Sequence, residues 1–362
     1  MTAQLTLDDL KAPLKVIFEQ RIADLIEVGN KGRVLFCKKN ETLNTSGNYR
    51  ITNFDSAIFE LSEETYGKDY KDLETQIKQV FKGNPLSVAL LEYKTTFASV
   101  ADIAKSQIQW NWAFSTDPDA QSDMASLGKE VKKFTLTYNQ KADSIYVCSV
   151  ANPSAKLSNG VQIAGSSVIE GENLLPAIAG VCAGCPYNMS ITYKIFDEFE
   201  SVEMPETISE GQIILENTQS GVRVATPVTT LTTTNTEFGE DMKSIAIVEG
   251  MIRFEEDIFY AFNSGYKGKY KNKYDNQTLF FAAAQGYIEE LEELDVLDPE
   301  YKNTIGVDID EQRKMWKALG KDADKWDDTT VKKTTYKNII NSLCDVKFLD
   351  AMEGLIVRVK MF

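Results

Sequence analysis

The stretch Arg33-Val-Leu-Phe-Cys37 follows the turn Gly29-Asn-Lys-Gly32 and predicts the first buried β-strand of the protein. Beyond it, helical and strand patterns alternate along the chain. Helices are expected at about 53–61, at 69–81 and from Ser99, and strands at 87–92, near 109–112, at 134–138 and at 144–149. This alternation predicts an α/β domain with a mixed sheet and a sandwich-like arrangement of layers, which we place at residues 31–170.

The second half of the chain has a different character, richer in helices. Short elements are expected first: a helix of small residues at 174–182, a helix at 206–215 and a strand at 221–224. Two long amphipathic helices follow, with apolar residues at helical spacing (Ile245, Val248, Ile252, Phe259 and Phe262; then Phe280, Ala284, Tyr287, Leu291 and Leu294). A strand at 305–309 and a last helix at about 329–343 complete this part, placed at residues 171–350.

The last nine residues, Gly354-Leu-Ile-Val-Arg-Val-Lys-Met-Phe362, form the pattern of a strand. Its alternation places Leu355, Val357, Val359 and Met361 on one face. An unpaired amphipathic strand leaves backbone groups and an apolar face exposed, so we expect it to pair with a partner. Residues 351–362 are therefore predicted to be a C-terminal strand arm, and residues 1–30 an N-terminal extension.

Composition narrows the classes of function. The formal charge of −15 repels phosphate backbones and argues against nucleic-acid binding, and we expect a soluble cytoplasmic product with no secretory signal and no membrane partner. The chain contains no histidine, which removes Ser-His-Asp triads, imidazole proton transfer and most catalytic zinc sites. Its five cysteines fit reduced thiols. No cofactor is expected.

One arrangement suggests chemistry, the pair in Cys182-Ala-Gly-Cys185. A C-x-x-C pair can act as a dithiol redox centre, and Cys148 and Cys344 could complete a zinc site, although neither has a close cysteine neighbour. The pair follows the expected helix instead of opening one. Buried small residues at a helix end are therefore favoured, and a dithiol oxidoreductase or metal-binding protein is kept as the alternative.

Two charged segments are open to more than one interpretation. Lysine and tyrosine alternate in residues 265–274, which could stack bases, but in an acidic chain a solvated loop or a protein-facing basic patch is favoured. Four glutamates surround an apolar stripe and fit a solvated helix face better than paired catalytic carboxylates (Glu289, Glu290, Glu292 and Glu293).

A family resemblance runs through the second half of the chain, from about residue 174 to residue 362. Its blocks are Val224-Ala-Thr-Pro-Val-Thr-Thr-Leu-Thr-Thr233, Ile252-Arg-Phe-Glu-Glu-Asp-Ile258, Tyr266-Lys-Gly-Lys269 with Asn272, Tyr287-Ile-Glu-Glu-Leu291 and Leu349-Asp-Ala-Met-Glu-Gly-Leu355. In order and spacing they resemble the contractile tail sheath proteins of bacteriophages and of phage-tail-like bacteriocins. Residues 30–150 match this family only in the pattern of their elements.

The resemblance implies a structural protein and not an enzyme. It would be made in a bacterial host, polymerise as stacked hexameric rings around an inner tail tube, and contract to drive the tube through a bacterial envelope. Its partners would be further copies of itself, the tube protein, and baseplate and tail terminator proteins. The particle would be a virion or a headless, phage-tail-like device.

The resemblance also implies roles for particular segments. Strand arms would be exchanged between subunits, which assigns Leu14, Val16 and Phe18 to the N-terminal arm and Leu355, Val357, Val359 and Met361 to the C-terminal arm. A helix near the C-terminus would face the tube, and its basic residues Lys332, Lys333 and Lys337 are the predicted contacts.

Overall fold

The computed structural model describes residues 32–361, except 44–46, 57–60 and 69. The predicted N-terminal arm, with Leu14, Val16 and Phe18, lies outside the described residues. The chain divides into two compact units. We call Asn30–Glu249 with Asp350–Phe362 the sheet unit, and the described part of the other unit, Gly250–Leu349, the helical unit.

A six-stranded mixed sheet forms the centre of the sheet unit. Its strands are β1 (Arg33–Lys39), β2 (Tyr49–Phe54), β3 (Ser87–Tyr93), β4 (Trp112–Ser115), β5 (Phe134–Tyr138) and β6 (Val147–Val150), in the order β2-β3-β1-β4-β5-β6. Neighbouring strands are parallel except β2, which runs antiparallel to β3 at one edge. The predicted α/β fold with a mixed sheet is confirmed.

Five helices accompany this sheet in the described chain: α1 (Glu63–Tyr66), α2 (Tyr70–Lys82), α3 (Ala101–Ser106), α4 (Gln121–Val131) and α5 (Leu175–Gly184). Strand β1 is apolar on both faces because both are covered. Leu35 packs in a cluster with Ala104 and Met124, from the segments of α3 and α4. The opposite face carries Phe36, which stacks on Phe114 at 4.6 Å between ring centroids.

Helices α2 and α5 cross at backbone contact, through glycines. A Cβ atom on Gly180 would overlap the carbonyl oxygen of Val80, and one on Gly184 would overlap that of Gly83. Only glycine permits so close an approach. The crossing fixes the end of α5, where Cys182 lies.

Six short strands form two further sheets in this unit. They are β7 (Ser154–Leu157), β8 (Val168–Glu170), β9 (Ile195–Phe196), β10 (Phe199–Val202), β11 (Leu215–Thr218) and β12 (Gly221–Val224), in the orders β10-β7-β8 and β11-β12-β9. The buried Asn152 side chain donates to the carbonyls of Glu203 (2.9 Å) and Leu215 (3.0 Å) and accepts from the Leu215 N–H (2.7 Å). The Asn152 side chain thus supplies hydrogen-bond partners to backbone groups of two other segments, those at Glu203 and Leu215.

The helix predicted at 206–215 is wrong. Ile213 donates its N–H to the Ser149 carbonyl (2.7 Å) and accepts from the Ala151 N–H (3.1 Å), so this stretch continues the pairing beside β6. The helix predicted at 53–61 is also wrong at its start, since Asn53 and Phe54 belong to β2. In both places pairing with a distant strand outweighs the local pattern.

The two long helices predicted in the second half are confirmed as α6 (Ile245–Ala261) and α7 (Tyr274–Glu293). In the helical unit, Phe254 stacks on Tyr287 (5.8 Å) and Phe262 packs edge-on against Phe280 (5.5 Å). The unit also contains α8 (Ile309–Ala318), α9 (Asp328–Lys333) and the hairpin of β13 (Thr304–Val307) and β14 (Ser342–Asp345). In the described part of the chain, no helix is both long and apolar enough to cross a membrane.

The predicted last helix at about 329–343 is wrong in its extent, because α9 ends at Lys333. Side chains from elsewhere in the unit bind the carbonyls that a longer helix would need. Gln312 donates to the Thr334 carbonyl (3.1 Å) and Trp316 donates to the same oxygen (3.0 Å). Lys337 therefore lies in a loop, with a backbone φ of 41°.

Candidate assembly surfaces

The C-terminal segment 351–361 belongs to no helix or strand and carries the most exposed apolar residues of the described chain. Leu355, Ile356 and Met361 are 88%, 89% and 91% exposed, and Val357 and Val359 are exposed as well. Burying these side chains stabilises any complex that covers them, and a contiguous exposed apolar patch marks an interaction surface. The assignment of this segment as an exchanged arm stays a prediction.

The root of this segment is held against the sheet unit. The Asp350 carboxylate accepts hydrogen bonds from the Ser244 hydroxyl and the Ala351 N–H, both at 2.9 Å. Burial raises the pKa of Glu353, and a hydrogen bond from Ser190 offsets part of that rise. Asp350 thus anchors the start of the segment, and the exposed apolar residues follow from Met352 onward.

The hairpin of the helical unit has one open edge. Gln285 covers the outer edge of β13, since it accepts from the Ile305 N–H (3.4 Å) and donates to the Asn303 carbonyl (3.1 Å). Strand β14 pairs with β13 and has no second neighbour among the described residues. An open strand edge is a template for pairing with another chain.

The register of the hairpin identifies the groups on that edge. Asp308 donates its N–H to the Asn341 carbonyl (2.9 Å), which fixes a hydrogen-bonded pair, and bonded pairs alternate along an antiparallel ladder. The backbone groups of Ser342 and Cys344 therefore make no hydrogen bonds to β13. Their N–H and C=O groups point outward, available to an added strand.

The three lysines predicted to face the tube lie close in the chain but not on one helix. Lys332 and Lys333 are in the last turn of α9, whereas Lys337 is in the following loop, with its Nζ 5.3 Å from the Tyr336 ring centroid. Their contact with a tube remains a prediction.

Asn272 joins this loop to the lysine-rich segment before α7. Its side-chain amide donates to the carbonyls of Tyr336 (3.3 Å), Lys337 (3.1 Å) and Ile339 (3.0 Å), and its own carbonyl accepts from the Thr335 hydroxyl (3.1 Å). The two basic segments are therefore neighbours. No sequence pattern predicts this junction, because an asparagine between lysines has no helical or strand periodicity.

The thiols do not form a reactive centre. Cys182 and Cys185 are both buried, and burial raises the pKa of Cys182 far above the ordinary range, as it does for Cys148. A reactive cysteine needs the opposite shift. No group of three potential metal ligands occurs among the described residues. Nothing here supports the dithiol or metal-binding alternative.

The usual ligand crevice of an open α/β sheet lies at the carboxyl ends of the strands where the strand order reverses, here between β1 and β4. Side chains of the protein itself occupy this place. Gln121 donates to the carbonyls of Ser115 (2.8 Å) and Asp117 (2.9 Å), and the Tyr93 hydroxyl donates to the Asp117 carboxylate (2.7 Å). Hydrogen bonds within the protein therefore fill the place where related sheets bind a ligand.

Comparisons with known proteins show which class of protein the chain resembles, that of the tail sheath proteins. No family model matches the chain. The tail sheath protein of Clostridium phage phiCD119 is 24% identical over 287 residues, which cover 76% of this chain and 79% of that protein.

Solved structures share the fold. A sheath tail protein from Desulfitobacterium hafniense superposes with a TM-score of 0.61 at 13% identity, covering 78% of this chain and 91% of that one. One from Listeria innocua gives 0.60 at 12% identity, covering 81% and 92%. A chain of the anti-feeding prophage baseplate gives 0.59 at 13% identity, covering 91% and 92%. The resemblance to the contractile tail sheath family is confirmed, and it supports a structural role over an enzymatic one.

Proposed function

We propose that this protein is the structural subunit of a contractile tail sheath. It polymerises as stacked hexameric rings around an inner tail tube and contracts to drive the tube through a bacterial envelope. The observation that carries the proposal is the exposed apolar segment 355–361 in a chain whose hairpin has an open strand edge. The similarity to tail sheath proteins in sequence and fold supports it.

The proposed joint is strand addition between copies. Residues 355–361 of one subunit pair with the outward N–H and C=O groups of Ser342 and Cys344 in another, and the N-terminal arm extends the same sheet. Each hydrogen bond contributes about 0.5–1.5 kcal/mol net, so one joint is weak and a network of joints is strong. The hydrogen bonds between paired strands keep the subunits connected, while the linker before each arm allows the subunits to rotate during contraction.

The remaining partners follow from the same assembly. An acidic tube is proposed to contact Lys332, Lys333 and Lys337, and baseplate and tail terminator proteins are proposed to close the two ends of the sheath. The product is then a virion or phage-tail-like particle component.

Removal of residues 355–362 tests the strand joint. The truncated chain is expected to fold, because the segment makes no strand pairing within the described subunit, but to remain unassembled. Negative-stain microscopy and sedimentation velocity report the polymer. Normal ringed tubes from the truncated chain would contradict the proposal.

A full-length pair of variants separates backbone pairing from the loss of apolar surface. Val357→Pro with Arg358→Pro removes two successive N–H donors, so one donor is lost whichever way the strand is paired. Val357→Thr with Arg358→Thr keeps both donors and a β-favouring side chain. We expect the proline variant to behave as the truncation does and the threonine variant to assemble.

A further inference from the structure

The two ends of helix α7 carry opposite charges. Four lysines occupy the seven residues before it (Lys267, Lys269, Lys271 and Lys273), and we call this segment the lysine end. Seven acidic residues occupy its last turns and the segment after them (Glu289, Glu290, Glu292, Glu293, Asp295, Asp298 and Glu300), which we call the acidic end. The helix has 20 residues, so the two ends lie about 30 Å apart.

This polarity opposes the stability of the helix itself. The macrodipole favours acidic residues at the N-terminus of a helix and basic residues at its C-terminus, and the last turn of α7 contains no basic residue. Glu289 and Glu293 also form a like-charge pair at i,i+4 spacing. The folding of a single chain does not account for such an arrangement, whereas contact with another surface does.

Much of the charge is available at the surface. Lys267 and Lys271 are exposed and make no ion pair within the described chain, while Lys273 pairs with Asp275 (3.1 Å) and Lys269 donates to the Ser264 carbonyl (2.5 Å). At the other end, four exposed acids make no ion pair with any described residue (Glu289, Glu293, Asp295 and Glu300). Both ends therefore present uncompensated charge.

The lysine end is also held in place before any partner binds. Asn272 lies between Lys271 and Lys273, and its four hydrogen bonds to the 335–339 loop fix the backbone there. A pre-organised surface loses less conformational entropy on association.

We infer that the lysine end of one copy docks on the acidic end of a second copy. A second copy is the occupant that the molecule itself supplies, because it carries a complementary surface on the same helix. Such a head-to-tail contact uses two different surfaces, so it closes into a ring or continues as a helix instead of stopping at a dimer. The inference requires that copies assemble, as in the proposed function, but not that strands are exchanged.

Charge exchange between two full-length variants tests the contact. In one variant Lys267→Glu, Lys269→Glu, Lys271→Glu and Lys273→Glu change the net charge of the lysine end from +4 to −4, so both ends are acidic. In the other, Glu289→Lys, Glu293→Lys, Asp295→Lys and Glu300→Lys change the net charge of the acidic end from −7 to +1, so both ends are basic. Each variant alone is expected to need at least about tenfold more protein than the natural chain to polymerise at low ionic strength. An equimolar mixture is expected to recover association, because each variant supplies the surface that the other lacks.

Thermal unfolding shows whether a variant that fails to polymerise is still folded. Both variants move the charges of α7 toward the order that the macrodipole prefers, so their midpoints are expected to be unchanged or higher. Raising the salt concentration is expected to weaken the natural assembly, since the Debye length falls to about 3 Å at 1 M.

Three results would overturn the inference: each variant polymerising alone like the natural chain, a mixture no more associated than its components, or a natural chain that stays monomeric at low salt. The truncation at residue 355 tests the strand joint separately. If the truncated chain fails to polymerise and the mixture of charge variants regains association, the strand joint and the charge contact are both supported. If the truncated chain polymerises normally and the mixture does not regain association, both are contradicted.

Discussion

At the scale of single residues, the crossing of α2 and α5 gives the sharpest prediction. Gly180→Ala places a methyl group on the Val80 carbonyl, so the helices must separate. We expect a loss of about 3 kcal/mol or more in the free energy of unfolding, measured by chemical denaturation. Gly286→Ala in α7 is the matched control. A Cβ there meets no atom within 4 Å, and the change should stabilise by about 0.5–1 kcal/mol. Equal effects at the two sites would contradict the interpretation of the crossing.

A second residue gives a dependence on pH. Burial raises the pKa of Asp257 to about 6 from its usual value of 3.8, although the Tyr287 hydroxyl donates to its carboxylate at 2.6 Å. Native protein therefore favours the protonated acid more than unfolded protein does. This contribution to stability is complete below about pH 4 and is lost as pH rises through about 6.

Asp257→Asn tests this assignment, because the amide keeps a neutral group and an acceptor for Tyr287 at every pH. We expect the free energy of unfolding of the variant to fall less than that of the natural protein between pH 4 and pH 7. Parallel pH profiles for the two proteins would show that another group is responsible.

At the scale of elements, the sequence predicts best where the local pattern and the tertiary environment agree. Strand β5 was expected at 134–138 and is found at Phe134–Tyr138, because it is buried between two parallel neighbours. The exceptions have partners far away in the chain. Strand β2 pairs with β3, residue 213 pairs beside β6, and the carbonyls that follow α9 bind Gln312, Trp316 and Asn272.

The loop after α9 offers a test of that explanation. Asn272→Ala removes the three hydrogen bonds to the carbonyls of Tyr336, Lys337 and Ile339. Three hydrogen bonds are lost, and the partly buried Tyr336 carbonyl loses a donor, so we expect the helical unit to lose about 1–3 kcal/mol of stability. Hydrogen exchange should rise in residues 335–339 more than in β5, which lies in the sheet unit. Uniform exchange throughout the chain would show that the asparagine does not specifically hold this loop.

At the scale of the whole molecule, composition and the family resemblance bear on different questions about function. The absence of histidine and the charge of −15 removed classes of function, but they named none. The order of motifs in the second half indicated a resemblance to tail sheath proteins, and the comparisons confirm that resemblance. The junction that Asn272 makes with the 335–339 loop could not be predicted, because it joins residues more than 60 positions apart that only the fold brings together. The surfaces identified above are therefore where experiments on assembly should concentrate.

The proposed tube contact can be separated from the contacts between copies. Lys332→Glu, Lys333→Glu and Lys337→Glu together reverse the charge facing an acidic tube, and we expect them to reduce tube loading while tube-free polymers still form. Surface charges interact over only about 8 Å at physiological salt, so each lysine is individually weak and all three must be changed. The control reverses three exposed lysines that make no ion pair in the described chain, Lys68, Lys71 and Lys321. Co-sedimentation with the tube measures loading. If the two triple variants load the tube equally well, the contact lies elsewhere on the sheath subunit.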